Sequence, residues 1–243
     1  MLYLYDTILY YPLLNTLVFF YNTIAFEDFG LAIIFLTILT RIILFPIFHK
    51  SARHQTVMQS IQPKIQKVQK EQKDKTKQAE EIMKVYKEHN INPFSGFLFL
   101  LVQMPILIAL YQIFLSSSGP NFFDGLYGFV VKPEAFQPVF AGLINLSERS
   151  ILIVGLAALA QYIQAKLALV KKNESEDASQ AEKMGRKMVY VGPIITLVIF
   201  YNFPAAVSLY WATSSVFGIF QQVIINKQLI KDGKLGTVDQ KNN

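Results

Sequence analysis

Between Leu31 and Phe48 the chain reads LAIIFLTILTRIILFPIF, an apolar run of membrane-spanning length that carries one charge, Arg41. At about 1.5 Å of rise per residue, Arg41 stands roughly 15 Å from the Gly30 end, near the middle of a hydrocarbon core about 30 Å thick. A guanidinium at that depth costs about 3 kcal/mol on translocon-type scales and more on an isolated helix. Two arrangements relieve the cost: the side chain faces a protein interior or wet cavity, or it snorkels to the nearer surface. Thr37, one turn back on the same face, and Thr40 beside the arginine favour the cavity.

The remainder of the chain agrees with a membrane setting. It is 52% hydrophobic and only 16% charged over 243 residues, too little charge for a soluble domain of this size. The fold class expected is an all-α polytopic membrane protein. Apart from Arg41 and Lys166, the basic residues fall between Lys50 and Lys87, between Lys171 and Lys187 and between Lys227 and Lys241, with Lys132 and Arg149 elsewhere. The positive-inside rule makes those three segments cytoplasmic. The chain has no cysteine, which excludes disulfides, thiolate metal sites, cysteine nucleophiles and lipidation on cysteine.

Residues 1–29 are apolar and Tyr-rich but interrupted by Asp6, Pro12 and Asn15. This pattern predicts an interfacial amphipathic helix on the outer surface, with a further span as the alternative; without a basic n-region, no cleavable signal peptide is expected. Five transmembrane helices are expected at about 31–48, 94–115, 151–170, 188–203 and 205–225, forming a core unit over 30–231 with the N-terminus outside and the C-terminus inside. Residues 49–93 are polar. Val57, Ile61, Ile65 and Val68, then Ala79, Ile82, Met83 and Tyr86, recur at helical spacing around the turn-prone Lys73–Thr76. They predict a cytoplasmic antiparallel helical hairpin, with Pro63 bending or restarting its first helix. Its lysine-rich face suits ribosomal RNA or anionic lipid, or is simply solvated.

The external loop 116–150, punctuated by prolines, reads as short interfacial pieces rather than a folded unit. Residues 171–187 form a cytoplasmic loop that is partly the helical start of the next span, and 232–243 a disordered cytoplasmic tail. Gln103 and Gln112, nine residues apart, point to opposite faces of the second span. Ala157, Ala160, Gln161, Gln164 and Ala168 share one face of the third, the small-plus-polar pattern of a helix packed against helices, and a routine interhelical hydrogen bond accounts equally well for Gln164. On the fifth span Trp211, Ser214, Ser215, Gly218 and Gln222 make a stripe opposite Val216, Phe220 and Val223.

No HExxH, nucleophile elbow or phosphate-cradling glycine loop occurs, so neither catalysis, a cofactor nor a metal is expected. The five spans also lack Asp and Glu, the groups that ion-coupled carriers place in the membrane. What is left at depth is one fixed cation among hydroxyls and amides. A cavity of that kind, open to the cytoplasm, gives a polar or acidic stretch of another polypeptide a hydrogen-bonding resting place partway across the bilayer. The rival reading is a small-solute or anion transporter that uses Arg41 as its binding charge.

Four stretches in order carry a resemblance: GLAIIFLTILTRIILFP (Gly30 to Pro46), IQPKIQKVQ (Ile61 to Gln69), YKEHNINPFSG with LVQMPILIALY (Tyr86 to Tyr111), and FPAAVSLYWATSSVFGIFQQ (Phe203 to Gln222). With them the chain resembles the YidC-type membrane protein insertases, in the short form without a large periplasmic domain. The resemblance implies a positively charged hydrophilic groove, open to cytoplasm and lipid and closed outside. It places Arg41, Gln164 and Trp211 in that groove, with Thr37 and Ser214 as weaker additions. It also implies a location in the cell inner membrane and, as partners, the lipid bilayer, nascent membrane-protein clients, the SecYEG translocon, the ribosome and the signal recognition particle receptor, with no role for DNA.

Overall fold

The computed structural model describes residues 2–92, 95–117, 119, 121–169 and 180–233. Among these, regular structure is helical except for one short antiparallel strand pair. The tail from 234 onward and the loop residues 171–179 lie outside the described residues.

The N-terminal segment is one continuous rod: α1 (Leu2–Tyr5), a π-helical turn (Asp6–Tyr10) and α2 (Tyr11–Thr23). It lies across one end of the helix bundle. The Tyr5 hydroxyl donates to Gln112 Oε1 at 2.8 Å, and farther along the rod Asn22 Nδ2 donates to the Val131 carbonyl at 2.6 Å. Asn15, at the rod's centre, is buried and uses its whole amide: Nδ2 donates to the carbonyls of Tyr11 (2.8 Å) and Gly125 (2.9 Å), and Oδ1 accepts the Tyr127 N–H at 2.6 Å.

α3 (Phe29–Ile43) starts where Asp28 accepts the Leu31 N–H at 2.8 Å with one carboxylate oxygen and the Ala141 N–H at 2.5 Å with the other. It stops at Leu44, and α4 (Phe45–Glu71) leaves at 74°. The run expected as a straight span over 31–48 is therefore bent. Phe45 to Phe48 belong to the first turn of α4, and Arg41 lies in the last turn of α3. Pro46 sits in the first turn of α4, where its missing N–H costs nothing. Pro63, expected to bend or restart this helix, lies inside α4, which continues through it because Val57, Ile61 and Ile65 are buried on either side.

The remaining helices are α5 (Lys75–Glu88), α6 (Ser95–Ser116), α7 (Ile151–Ala168), α8 (Gln180–Phe200) and α9 (Ala205–Lys231). α9 is the hub, packing on α7, α3, α6 and α4, whereas α8 packs on α7 and α4. Among the described residues α7 alone is long and apolar enough to cross a bilayer, and α3 with α4 reach that length only as a bent pair. The bundle nonetheless exposes a belt of large apolar side chains, including Leu101 and Ile108 on α6, Leu156 and Leu159 on α7, Ile194 and Val198 on α8 and Phe220 on α9. A water-soluble surface does not carry such a belt, whereas one solvated by lipid does.

The loop after α6 departs from the loose pieces expected of it. Strands β1 (Val139–Phe140) and β2 (Ile144–Asn145) pair antiparallel about a turn with Ala141 and Gly142 at φ 53° and 67°. Phe122, Val130 and Leu146 are buried in the main core, where the rings of Tyr21, Phe29, Phe114, Phe122, Phe123 and Phe136 contact one another in series. Gly30 makes room for this lid, since a Cβ there would overlap the Phe140 ring. The carbonyls of Glu148 and Leu146 accept the N–H groups of Ala205 and Ala206 at 2.7 and 3.0 Å, satisfying the start of α9. Folding rather than fraying follows from these apolar and backbone contacts.

At the opposite end α4 and α5 form the antiparallel hairpin, turned at Asp74, whose side chain caps α5 through the N–H groups of Thr76 and Lys77. Its apolar seam does not stand alone. Val57, Ile61 and Ile65 pack with Ile91 and with Ile225 and Leu229 of α9. On α5 the packed residues are Ile82, Val85 and Tyr86, while Ala79 and Met83 of the expected face are exposed, because the helix meets α4 about a sixth of a turn away.

Asn15→Ala leaves the Tyr127 N–H and Gly125 carbonyl without their side-chain partner. We expect a loss of about 1–3 kcal/mol in stability, read as a lower unfolding temperature in detergent together with faster proteolysis between residues 116 and 150. Unchanged cleavage of that loop would show that the asparagine does not hold it.

Candidate functional site

The polar residues of the bundle interior come from three helices that meet around α9. From α3, Thr37 is 1% and Arg41 8% exposed. The Thr37 hydroxyl donates to the Ile33 carbonyl of its own helix at 2.6 Å, so it contributes an oxygen to the interior rather than a free donor. The Arg41 guanidinium lies 4.6 Å from the centroid of the Phe48 ring, and its Nε, though buried, has no hydrogen-bond partner among the described residues. The Tyr210 hydroxyl of α9 accepts from Gln103 Nε2 of α6 at 2.5 Å. Gln103 and Tyr210 thus tie α6 to α9 through polar groups.

α9 supplies the rest. Ser208, Ser214, Ser215, Gly218, Gln221 and Gln222 are buried, while Val216, Phe220 and Val223 face outward, as the stripe required. Besides Arg41 Nε, five side-chain atoms in this interior are buried without a partner among the described residues: Gln103 Oε1, Ser208 Oγ, Trp211 Nε1, Ser214 Oγ and Gln221 Nε2. One such atom costs about 1–3 kcal/mol when dry. Six of them around one helix are inconsistent with a dry seam and consistent with an interior that takes up hydrogen-bonding guests, water included.

Gln164 reaches the site from α7. Its amide lies on Gly218, where a Cβ would overlap it, one turn beyond Ser214. It joins the polar stripe through α9. Gln161, one turn earlier, reaches α8 instead, where its Oε1 accepts the Thr196 hydroxyl. Nearer the hairpin, Gln222 Nε2 donates to Thr56 Oγ1 and Asn226 Oδ1, each at 2.9 Å, and Asn226 Nδ2 to the Leu167 carbonyl at 2.8 Å. Gln222, a member of the stripe, is therefore fully engaged in joining α9 to α4 and α7. The indole of Trp211 rests on Phe200 with ring centroids 5.1 Å apart.

Gln103, Ser208, Tyr210 and Phe48 are interior residues that the sequence analysis does not single out as candidates. Gln103 was seen only as opposite in direction to Gln112; the structure buries Gln103 and leaves Gln112 exposed against the N-terminal rod. Tyr210 and Ser208 precede the stripe and carry no pattern that separates them from ordinary packing. Phe48 looked like the last residue of a span and became visible only with the bend at Leu44.

Fold and site together define a helical membrane protein with a polar interior, sealed at its loop end. The sequence pattern of the family described as 60Kd inner membrane protein matches residues 19–232. The chain is 30% identical to membrane protein insertase YidC of Oceanobacillus iheyensis over 235 residues, 93% of this chain and 85% of that one. It is 32% identical to the YidC insertase of Fusobacterium nucleatum over 204 residues, covering 83% and 87% of the two chains. The similar insertase of Chlamydia trachomatis is much longer, so a 32% identical match covers 82% of this chain but 26% of that one. A crystal structure of an active YidC insertase with its first transmembrane domain resolved superposes with a TM-score of 0.57 at 27% identity, covering 89% of this chain and 45% of the other. The chain belongs to this inner-membrane family, the YidC membrane protein insertases.

The Gln164 contact gives a test of the α7–α9 seam. Gly218→Ala forces the Gln164 amide aside, so its cost is expected to fall in a Gln164→Ala background. The coupling should be about 0.5–3 kcal/mol, measured as a double-mutant cycle in detergent unfolding. Additive effects would mean that the two residues do not press on each other.

Proposed function

We propose that the polar interior around α9 is a client groove. In this reading the hairpin end faces the cytoplasm, as the lysines of α4 and α5 require under the positive-inside rule, and the lidded end faces outside. α3, α6, α7, α8 and α9 then serve as the five spans, and the N-terminal rod rests on the outer surface. A nascent chain enters from the cytoplasmic side, its polar or acidic tail meets Arg41 and the unpaired groups of α9, and its apolar segment leaves into lipid along the exposed belt. Each hydrogen bond made in the groove replaces one to water, so the desolvation of the tail is divided into steps. Nothing in the process makes or breaks a covalent bond, and the protein is not an enzyme.

The observation that carries this reading is the set of five buried polar atoms that, like Nε of the Arg41 cation beside them, have no hydrogen-bond partner among the described residues, in spans that hold no carboxylate. The lid argues against the transporter alternative. A carrier must open at both ends, and here the outer end is closed by interlocked rings and by backbone hydrogen bonds from Leu146 and Glu148 to the first turn of α9. Ribosome, signal recognition particle receptor and SecYEG fit the same scheme as partners that deliver or accept clients at the hairpin and the bundle wall.

The test is insertion by the purified protein in liposomes. Arg41→Ala should lower insertion of clients with acidic translocated tails by about tenfold, the worth of one charge-assisted hydrogen bond. Arg41→Lys should retain most activity, and clients with neutral tails should respond weakly to either change. Full activity of the alanine variant on acidic clients would remove the groove charge from the mechanism.

A further inference from the structure

The guanidinium of Arg41 raises a question of support. A buried arginine is ordinarily held by a carboxylate, and the spans of this chain contain none. A carboxylate would also occupy the N–H edge that a client needs. What touches the cation instead is a ring face: the Phe48 centroid lies 4.6 Å from Arg41 Cζ, and Phe48 is 2% exposed. An aromatic face attracts a cation through its quadrupole without accepting the conventional hydrogen bonds that a carboxylate would take from the five N–H donors. Arg41 Nε is buried without a hydrogen-bond partner among the described residues, as this geometry allows.

We infer that Phe48 is the positioning residue for the groove arginine, holding the guanidinium against its ring face so that N–H donors stay available to carbonyl and carboxylate oxygens of the client. This rests on the groove reading of Arg41 and adds to it a means of support from a different helix. Phe48 belongs to α4, beyond the 74° bend, and is brought over Arg41 by that bend. The root of α4 is in turn pinned to α9. The Phe45 ring stacks on His49 at 5.1 Å and meets Phe217 edge-on at 6.5 Å, His49 Nε2 lies 3.0 Å from Gln228 Oε1, and Arg53 pairs with Asp232 at 2.5 Å. The placement of the ring is thus set by contacts of the hairpin root, away from the groove itself.

The experiment replaces Phe48 with mono-, tri- and pentafluorinated phenylalanine, which nearly keeps its shape while weakening and finally reversing the ring quadrupole. Phe48→Leu is the simple genetic counterpart. Insertion of acidic-tailed clients relative to neutral-tailed ones is measured in the same liposomes, alongside unfolding temperature. The expected result is a stepwise fall in that ratio to about one fifth, equivalent to about 1 kcal/mol at 1.4 kcal/mol per tenfold, with unfolding temperature unchanged across the fluorinated series. Labelling of Arg41 by phenylglyoxal, located by mass spectrometry, should rise in the same order. A role in packing alone would move neither readout. A flat ratio across the series, with Arg41→Ala still impaired, overturns the inference about Phe48 and leaves the groove standing. A flat response to Arg41→Ala itself overturns both.

Discussion

The structure depends on keeping one positive charge inside an apolar bundle without a counter-charge beside it. Arg41 is 8% exposed, lies on a ring face and has no hydrogen-bond partner for its Nε among the described residues. The bundle can tolerate this only if the surrounding interior is polar, and the interior surface of α9 is polar over most of its length. A well-packed apolar pair at the same place would be more stable. The charge is retained at that cost, as expected where an interaction with another molecule, and not the fold, sets the residue.

The two ends of the bundle are built on opposite terms. At the loop end, rings from α2, α3, α6 and the lid interlock, and the first N–H groups of α9 are satisfied by lid carbonyls, so little polar surface is left over. At the hairpin end the contacts are a small apolar seam, amide side chains and one partly exposed ion pair. Exposed ion pairs of that kind are worth about 0–1 kcal/mol. The end at which we propose that a client enters is therefore held by the weaker and more reversible set of interactions, and both sets converge on α9.

Helix type and order were legible because a bilayer leaves few choices: apolar runs of about 20 residues become helices, and clustered lysines mark one side. Helices at 95–116, 151–168 and 205–231 start or end within a few residues of the expected spans. The stripe on α9 was legible for the same reason, since a 3.6-residue period carries over directly into a face. The bend at Leu44 was not. Its sequence, ILFPIF, is apolar throughout, and a proline two residues on is compatible with a straight helix that starts a new turn as well as with a 74° break. The lid was missed because its stability comes from rings distant in sequence, Tyr21, Phe29 and Phe136 among them, that no local pattern joins.

By itself, then, the sequence determined a helical membrane protein with a cation at depth, an acid-free set of spans and a polar face on its last helix, because composition and periodicity are local properties that lipid reads directly. Tertiary structure decided which polar groups share one interior. It selected Gln103 over Gln112, laid Gln164 on Gly218, sealed one end with the lid and carried Phe48 over Arg41. Those outcomes depend on crossing angles and on contacts between residues far apart in the chain, which no periodic pattern in the sequence encodes.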